Sequence, residues 1–350
     1  MSDALPESYK AVCCPGAHQP WQHITLPLRS PAPSELLLKV HASGLCGSEH
    51  FIQSGSWPGI TYPRVPGHEV VARVLSLGPD VDAARFKAGD LVGVGWSGGF
   101  CSKCRMCREG EFWACEKARV TGFTHDGGAG EYMYAPESAI VSIPEECLAT
   151  ASYAELAPLL CAGMTVYGAL LSTPFKPGDT CLVQGVGGLG HLAIQYASKL
   201  GLRVFASSSS PAKAALAKSL GAHAHIDASA VDVAAYMQAR GGAAVVLCTA
   251  PNADEITKAI GAVATNGTVT LVSAAVDGDI RVQNVMMNMR RATLRGYGCG
   301  VARDAEACLR FSAMADIKSM VREYKLEQYA EAYDDMIAGG PKFRNVIVFP

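Results

Sequence analysis

The feature that most constrains this chain is a set of glycines at fixed spacing. Gly185-Val186-Gly187-Gly188-Leu189-Gly190 reads G-x-G-x-x-G. It follows Thr180-Cys181-Leu182-Val183-Gln184, which has the pattern of a buried strand, and precedes residues 191–200, which have helical spacing. The same letters alone would serve as a flexible turn. Set between a strand and a helix, they let the backbone turn tightly and approach a pyrophosphate, whose charge the helix N-terminus then holds.

The alternation continues. Residues 202–206 read as a second strand, after which Ser210 and Pro211 cap and open a helix reaching Leu220. Further strands are expected over 222–226, 244–248 and 268–273, with helical stretches between. Strands alternating with helices predict an α/β fold with a doubly wound parallel Rossmann sheet over 156–295. Residues 1–155 differ. They are rich in Gly and Pro, with short runs such as Leu36-Leu37-Leu38-Lys39-Val40 and Val70-Val71-Ala72-Arg73-Val74, the pattern of a β-rich, partly closed barrel. After residue 295 the alternation stops. Residues 303–315 and 327–338 look helical, residues 346–350 read as a strand, and 296–350 is assigned back to the first domain.

At 49% hydrophobic and 18% charged residues, the chain can bury large cores and is not a disordered one. A net charge of -2 gives no reason to expect nucleic acid or an anionic membrane as partner. No apolar run reaches the roughly 18–20 residues of a membrane span, and MSDALPESYK lacks the pattern of a secretory signal, so cytoplasmic is the expected location. Thirteen cysteines, an odd count, argue against a disulfide framework.

Four of them cluster. Cys101, Cys104, Cys107 and Cys115 follow C-x2-C-x2-C-x7-C within the lobe 98–116. Four soft thiolates on one loop can close a tetrahedron around zinc, leaving no open position for substrate. The alternatives are a set of free thiols or a nucleic-acid-binding zinc module. The first would be an oxidation liability. Against the second, Glu109, Glu111 and Glu116 offset the few basic residues nearby.

Three more residues form a candidate set: Cys46 in Gly44-Leu45-Cys46-Gly47-Ser48-Glu49, His68 in Pro66-Gly67-His68-Glu69, and Cys161 in Leu159-Leu160-Cys161-Ala162-Gly163. Singly, each cysteine reads as core and the histidine as a satisfied one. Jointly they offer Cys2His, the ligand set of a catalytic zinc with one open position. Spacing alone does not bring them together. An NAD site would end the second strand in a carboxylate for the ribose 2′-hydroxyl. Here Ser207-Ser208-Ser209-Ser210 follows, then Lys213. Hydroxyls and an ammonium can donate to a 2′-phosphate, which favours NADP over the alternative, NAD. A plain serine-rich helix cap is the other reading.

These ordered motifs, with L-L-C-A-G-M-T-V-Y, resemble the zinc-containing medium-chain alcohol dehydrogenases along nearly the whole chain. Residues 157–168 and Thr124-His125-Asp126-Gly127 look like the yeast-type enzymes, and the serine run looks like cinnamyl alcohol dehydrogenases. The resemblance implies a GroES-like catalytic domain, two Zn2+ per subunit, and Cys46, His68 and Cys161 as catalytic ligands. It implies that Glu69 can approach the metal during ligand exchange, that Glu49 orients His68, and that Ser48 takes the proton of the bound oxygen. The family usually has Asp at position 49. Phe51 stands where many members continue the relay with His, and His50 is one place earlier, about 100° round a helix. Thr165, Thr249 and Ser273 match positions near the nicotinamide, with Gly185, Gly187, Gly188, Leu189, Gly190, Ser208, Ser209 and Lys213 around the rest of the cofactor. Trp57 and Trp96 match residues that narrow the substrate cleft, although ordinary core tryptophans would read the same. His125 reads as a loop residue, and His18, His23, His41, His191, His223 and His225 have no ligand-like context.

The implied activity is hydride transfer between a nicotinamide and a primary alcohol or aldehyde, in a cleft between the domains, by a homodimer or homotetramer. The alternatives are reduction of activated double bonds on the same fold and a non-enzymatic role, as a cofactor-binding regulator or a structural zinc protein.

Overall fold

The computed structural model describes residues 5–339 and 343–350. The chain divides into two compact units, Met1–Cys161 with Gly300–Pro350, and Ala162–Cys299.

The first unit is organised on the ten-residue strand Glu35–Gly44. Leu36, Leu38 and Val40 alternate onto its core face and are fully buried, as the period of two requires. The strand pairs antiparallel with Val70–Leu77 along one edge. Its other edge is shared between Tyr132–Pro136, against residues 35–39, and Arg344–Val348, against residues 42–44. Register shifts at Leu37/Leu38 and Val40/Ala42 bend it. The sheet continues through Leu91–Val94 to Ile140–Ser142, and Val321–Tyr324 closes its far edge. The tail is thus stitched into this unit by main-chain hydrogen bonds, and Arg344 comes with it.

The second unit is a six-stranded parallel sheet. In spatial order its strands are Ala224–Asp227, Arg203–Ser208, Thr180–Gln184, Ala243–Cys248, Val263–Leu271 and Thr293–Gly296. Counted along the unit this is 3-2-1-4-5-6, with the direction of winding reversing between Thr180–Gln184 and Ala243–Cys248. Ligands bind outside the carboxyl ends of the strands at such a switch point. Ala243–Cys248 reads AAVVLC and is buried along nearly its whole length, as a strand covered on both faces must be.

Two local expectations fail. The second strand runs two residues into the serine run, because Ser207 pairs with Gln184 and Ser208 with Asp227. Ladder pairing overrides the turn preference of serine. Ser210 does not cap with its side chain: the chain enters a 3-10 turn, Pro211–Lys213, before the helix Ala214–Ser219. Among the described residues no single helix is long and apolar enough to cross a membrane.

Ile256 is fully buried in the second unit's core beside Val246 and Val269. Ile256→Ala is expected to cost about 3 kcal/mol, read as a lower urea midpoint for that unit with zinc content unchanged.

Candidate active site and metal centres

Within the first unit, donor atoms of Cys46, His68, Glu69 and Cys161 all lie within 4.8 Å of one another. Three stretches supply them. Cys46 follows the turn out of Glu35–Gly44, His68 and Glu69 enter Val70–Leu77, and Cys161 ends the 3-10 turn Ala157–Leu160. Hydrogen bonding with Cys161 holds the Cys46 thiol well below its ordinary range. The His68 ring is completely buried, with Nδ1 3.3 Å from Glu49 Oε1 and Nε2 3.3 Å from Ser48 Oγ. Glu49 is itself fixed, its other oxygen accepting the Cys46 amide at 2.8 Å. The longer Glu, where the resemblance expects Asp, therefore reaches His68. Burial alone would push the ring down, but Glu49 and Cys46 hold it well above its ordinary value. Surroundings that attract a proton to this ring also attract a cation.

Glu69 is fully buried and its two carboxylate oxygens make no hydrogen bond. Arg344 approaches Oε1 at 3.4 Å. Burial pushes Glu69 up to about 7, against the pull of Arg344. Gly44 makes room for this carboxylate, since a Cβ there would collide with it.

Aromatic rings stand beside the donors. Trp96 meets the His68 ring edge-on at 5.0 Å, and Trp57 meets Trp96 at 5.5 Å. Phe51 tilts against Trp57 at 5.8 Å. His50 Nδ1 is 3.0 Å from the Tyr333 hydroxyl. His125 lies apart from the donor set, with Nδ1 3.2 Å from Thr124 Oγ1 and its ring against Gly98.

In the lobe, the Sγ atoms of Cys101, Cys104, Cys107 and Cys115 also lie within 4.8 Å of one another. Cys101 and Cys115 are 3.6 Å apart, and Cys104 and Cys115 4.0 Å. A tetrahedron of Zn–S bonds of about 2.3 Å has edges of about 3.8 Å, whereas a disulfide is about 2.05 Å. The lobe backbone is shaped for thiolates: the Cys104, Cys107 and Lys117 amides point at Cys101, Cys104 and Cys115 sulfurs. Amides of Lys103 and Cys104 lower Cys101 to about 6.

In the second unit the glycine loop leaves Thr180–Gln184 and enters the helix Gly190–Lys199. A Cβ on Gly185 would press on Ala250, and one on Gly190 on the Gly185 carbonyl. Local packing therefore explains those two. A Cβ on Gly187 would meet no protein atom within 4 Å, so that glycine leaves open space over the loop, as close approach of a pyrophosphate needs. Thr249 Oγ1 donates to the Gln184 and Gly185 carbonyls at 2.8 and 3.1 Å, Ser273 to Cys248, and Thr165 to Gly298. Lys213 Nζ donates to the Val186 carbonyl at 2.9 Å, and Ser209 is exposed. Ser208 Oγ is 2.8 Å from His225 Nε2.

Residues 32–145 match the alcohol dehydrogenase GroES-like domain, and residues 188–314 match the zinc-binding dehydrogenase domain. The alcohol dehydrogenase notN of Aspergillus sp. is 35% identical over 98% of this chain and 99% of its own length. The alcohol dehydrogenase patD of Penicillium expansum is 36% identical over 99% of both. A cinnamyl alcohol dehydrogenase from Sorghum bicolor superposes with a TM-score of 0.86 at 27% identity, covering 97% of each chain. The chain belongs to the zinc-containing medium-chain alcohol dehydrogenase family. It is an oxidoreductase acting on alcohols, with zinc and a nicotinamide as its cofactors.

In this alcohol dehydrogenase several neighbours of the site were not singled out in the sequence. Arg344 precedes an apolar terminal strand and reads as an ordinary flanking cation; only the pairing of Val346 with Gly44 brings it to Glu69. Tyr333 gave no signal either. His225, which has no ligand-like context in the sequence, sits on the predicted coenzyme residue Ser208.

His125 yields a pH prediction. Burial pushes its ring down to about 3, so the folded chain holds it neutral while the unfolded chain protonates near 6.5. Its folded value is depressed, so stability is lost as pH falls below 6.5, by about 2 kcal/mol at pH 5. Urea denaturation of the wild type and His125→Gln at pH 7 and pH 5 should show that slope diminished in the variant; equal slopes would contradict it.

Proposed function

We propose that this alcohol dehydrogenase transfers hydride reversibly between a nicotinamide and a primary alcohol or aldehyde, with Cys46, His68 and Cys161 holding the catalytic zinc. The carrying observation is the gathering of these three donors, with Glu69, within 4.8 Å in largely buried ground walled by Trp96. Zinc bound there supplies Lewis-acid polarisation of an alcohol or carbonyl oxygen.

The chain's own groups do the rest. Glu49 fixes the His68 ring and so directs Nε2 at the donor cluster. Ser48 Oγ, 3.3 Å from that nitrogen, receives the substrate's hydroxyl proton. Phe51 cannot carry the proton further, and His50 is engaged with Tyr333, so the proton leaves Ser48 through water or a ribose hydroxyl. Trp57 and Trp96 narrow the approach and favour slim or planar primary substrates. Glu69, held at 3.4 Å from Arg344, would be a spare carboxylate for the ion. The four lobe cysteines hold a second zinc without an open position, which gives a staple and no chemistry.

NADP is the preferred coenzyme on this reading. The strand Arg203–Ser208 ends without a carboxylate, and Lys213 lies on the glycine loop. No disulfide joins the cysteines, in keeping with the reducing cytoplasm, and the family resemblance supports a homodimer or homotetramer. The comparisons do not favour the double-bond reductase alternative.

Cys46→Ala should lower turnover by more than about 100-fold, since loss of a ligand exceeds the 10–100-fold typical of an outer partner. Zinc should fall from two to one per chain, with the lobe ion retained. Full activity in that variant would rule out the assignment. Michaelis constants for NADPH and NADH, with a series of aliphatic and aromatic aldehydes, should show the lower value with NADPH; a clear NADH preference would end the coenzyme reading.

A further inference from the structure

The contact between Ser208 and His225 remains unused by the reaction described so far. His225 lies on Ala224–Asp227, the outermost strand of the parallel sheet, and its register partner on the neighbouring strand is Ala206. Ser208 is two residues beyond Ala206, on the same face of that strand. Nε2 of His225 ends 2.8 Å from Ser208 Oγ, and the Ser208 hydroxyl also reaches the Ser210 carbonyl at 3.2 Å. Both residues are half-buried, so a ligand on Ser208 is within reach of the imidazole.

We propose that His225 is a proton-linked specificity residue for the coenzyme's 2′-phosphate. Binding of the phosphate dianion draws one proton from solvent onto the imidazole, whereas a coenzyme with a free 2′-hydroxyl draws none. This rests on the reading that Ser208 and Lys213 receive the 2′-phosphate.

The surroundings suit the role. Burial and the Lys213 ammonium push the free ring down while Asp227 pulls it up, and the balance lies below the ordinary histidine value. The free site therefore holds neutral imidazole at neutral pH. Asp227, two residues along the same strand, spends its carboxylate on the Ser229 hydroxyl and amide, at 2.6 and 3.0 Å. Lys218 is the cation on the helix Ala214–Ser219, which packs on this strand. Arg203 begins the neighbouring strand at its far end. A dianion at Ser208 adds two negative charges beside the ring, and protonated imidazole then becomes a charge-assisted donor to it. No covalent step is involved. The only transfer is the proton, from solvent to His225 on binding and back on release. Affinity for the phosphorylated coenzyme must consequently fall as pH rises, while affinity for the other stays level.

The test is calorimetric titration of the zinc-loaded enzyme with NADPH and with NADH at pH 7.5, in Hepes and in Tris, whose ionisation heats differ. Uptake of about 0.5–1 proton is expected with NADPH and about none with NADH, the free phosphate being already dianionic at that pH. The NADPH dissociation constant should rise about tenfold between pH 6.5 and 8, as a single linked proton permits. His225→Gln keeps a neutral partner for Ser208; it should abolish the uptake, weaken NADPH about tenfold at pH 6.5 and leave NADH within about twofold. Uptake that persists in the variant, or that is equal for both coenzymes, overturns the role of His225. Tighter NADPH binding without uptake overturns that role alone and leaves the coenzyme reading standing. Tighter NADH binding at every pH overturns both. If the variant does not fold, the wild-type proton count decides.

Discussion

The first unit depends on burying charge that its own side chains do not balance. Glu49 and Glu69 are completely buried, the Cys46 thiol beside them is held well below its ordinary range, His68 lies against Glu49, and Arg344 reaches Glu69. Taking carboxylates out of water costs several kcal/mol each unless a partner answers them. Glu69 shows the strain of this arrangement: its value rises to about 7 and its oxygens make no hydrogen bond. A dication held by these converging donors would offset that imbalance. On the proposed reading, stability is given up here for a preformed coordination shell.

The scaffold follows from that need. Glu35–Gly44 and Val70–Leu77 lie side by side, and their ends bring Cys46 and His68 together although 21 residues of chain separate those positions. Gly44 admits the Glu69 carboxylate where a methyl would exclude it. The strand Arg344–Val348 returns from the end of the chain to deliver the guanidinium. The second unit obeys a different rule. Its loop and Thr249 sit at the strand ends that flank the reversal in winding, where doubly wound sheets bind their ligands.

Sequence made legible what depends on local spacing. The four lobe cysteines fall within fifteen residues, and a tetrahedral edge is a short-range matter, so the pattern alone implied the cluster. The glycine loop was equally plain, and Thr180–Gln184 coincides with the expected strand. Convergence of Cys46, His68 and Cys161 was not legible from spacing; it came from family resemblance, because contacts between segments distant in sequence bring them together. Arg344, Tyr333 and His225 were missed for the same reason. Each acts through a neighbour that is distant in sequence, and none departs from what an ordinary flanking or surface residue looks like. The serine run misled locally: turn propensity suggested a cap at Ser210, but the pairing of Ser208 with Asp227 extended the strand instead.

The most direct test is anomalous diffraction at the zinc edge on crystals of the active enzyme, carried out above and below the absorption edge. The account predicts two difference peaks per chain, one enclosed by the four lobe cysteines and one bounded by the sulfurs of Cys46 and Cys161 and Nε2 of His68. A single peak in the lobe, from protein that turns over at its full rate, would contradict it.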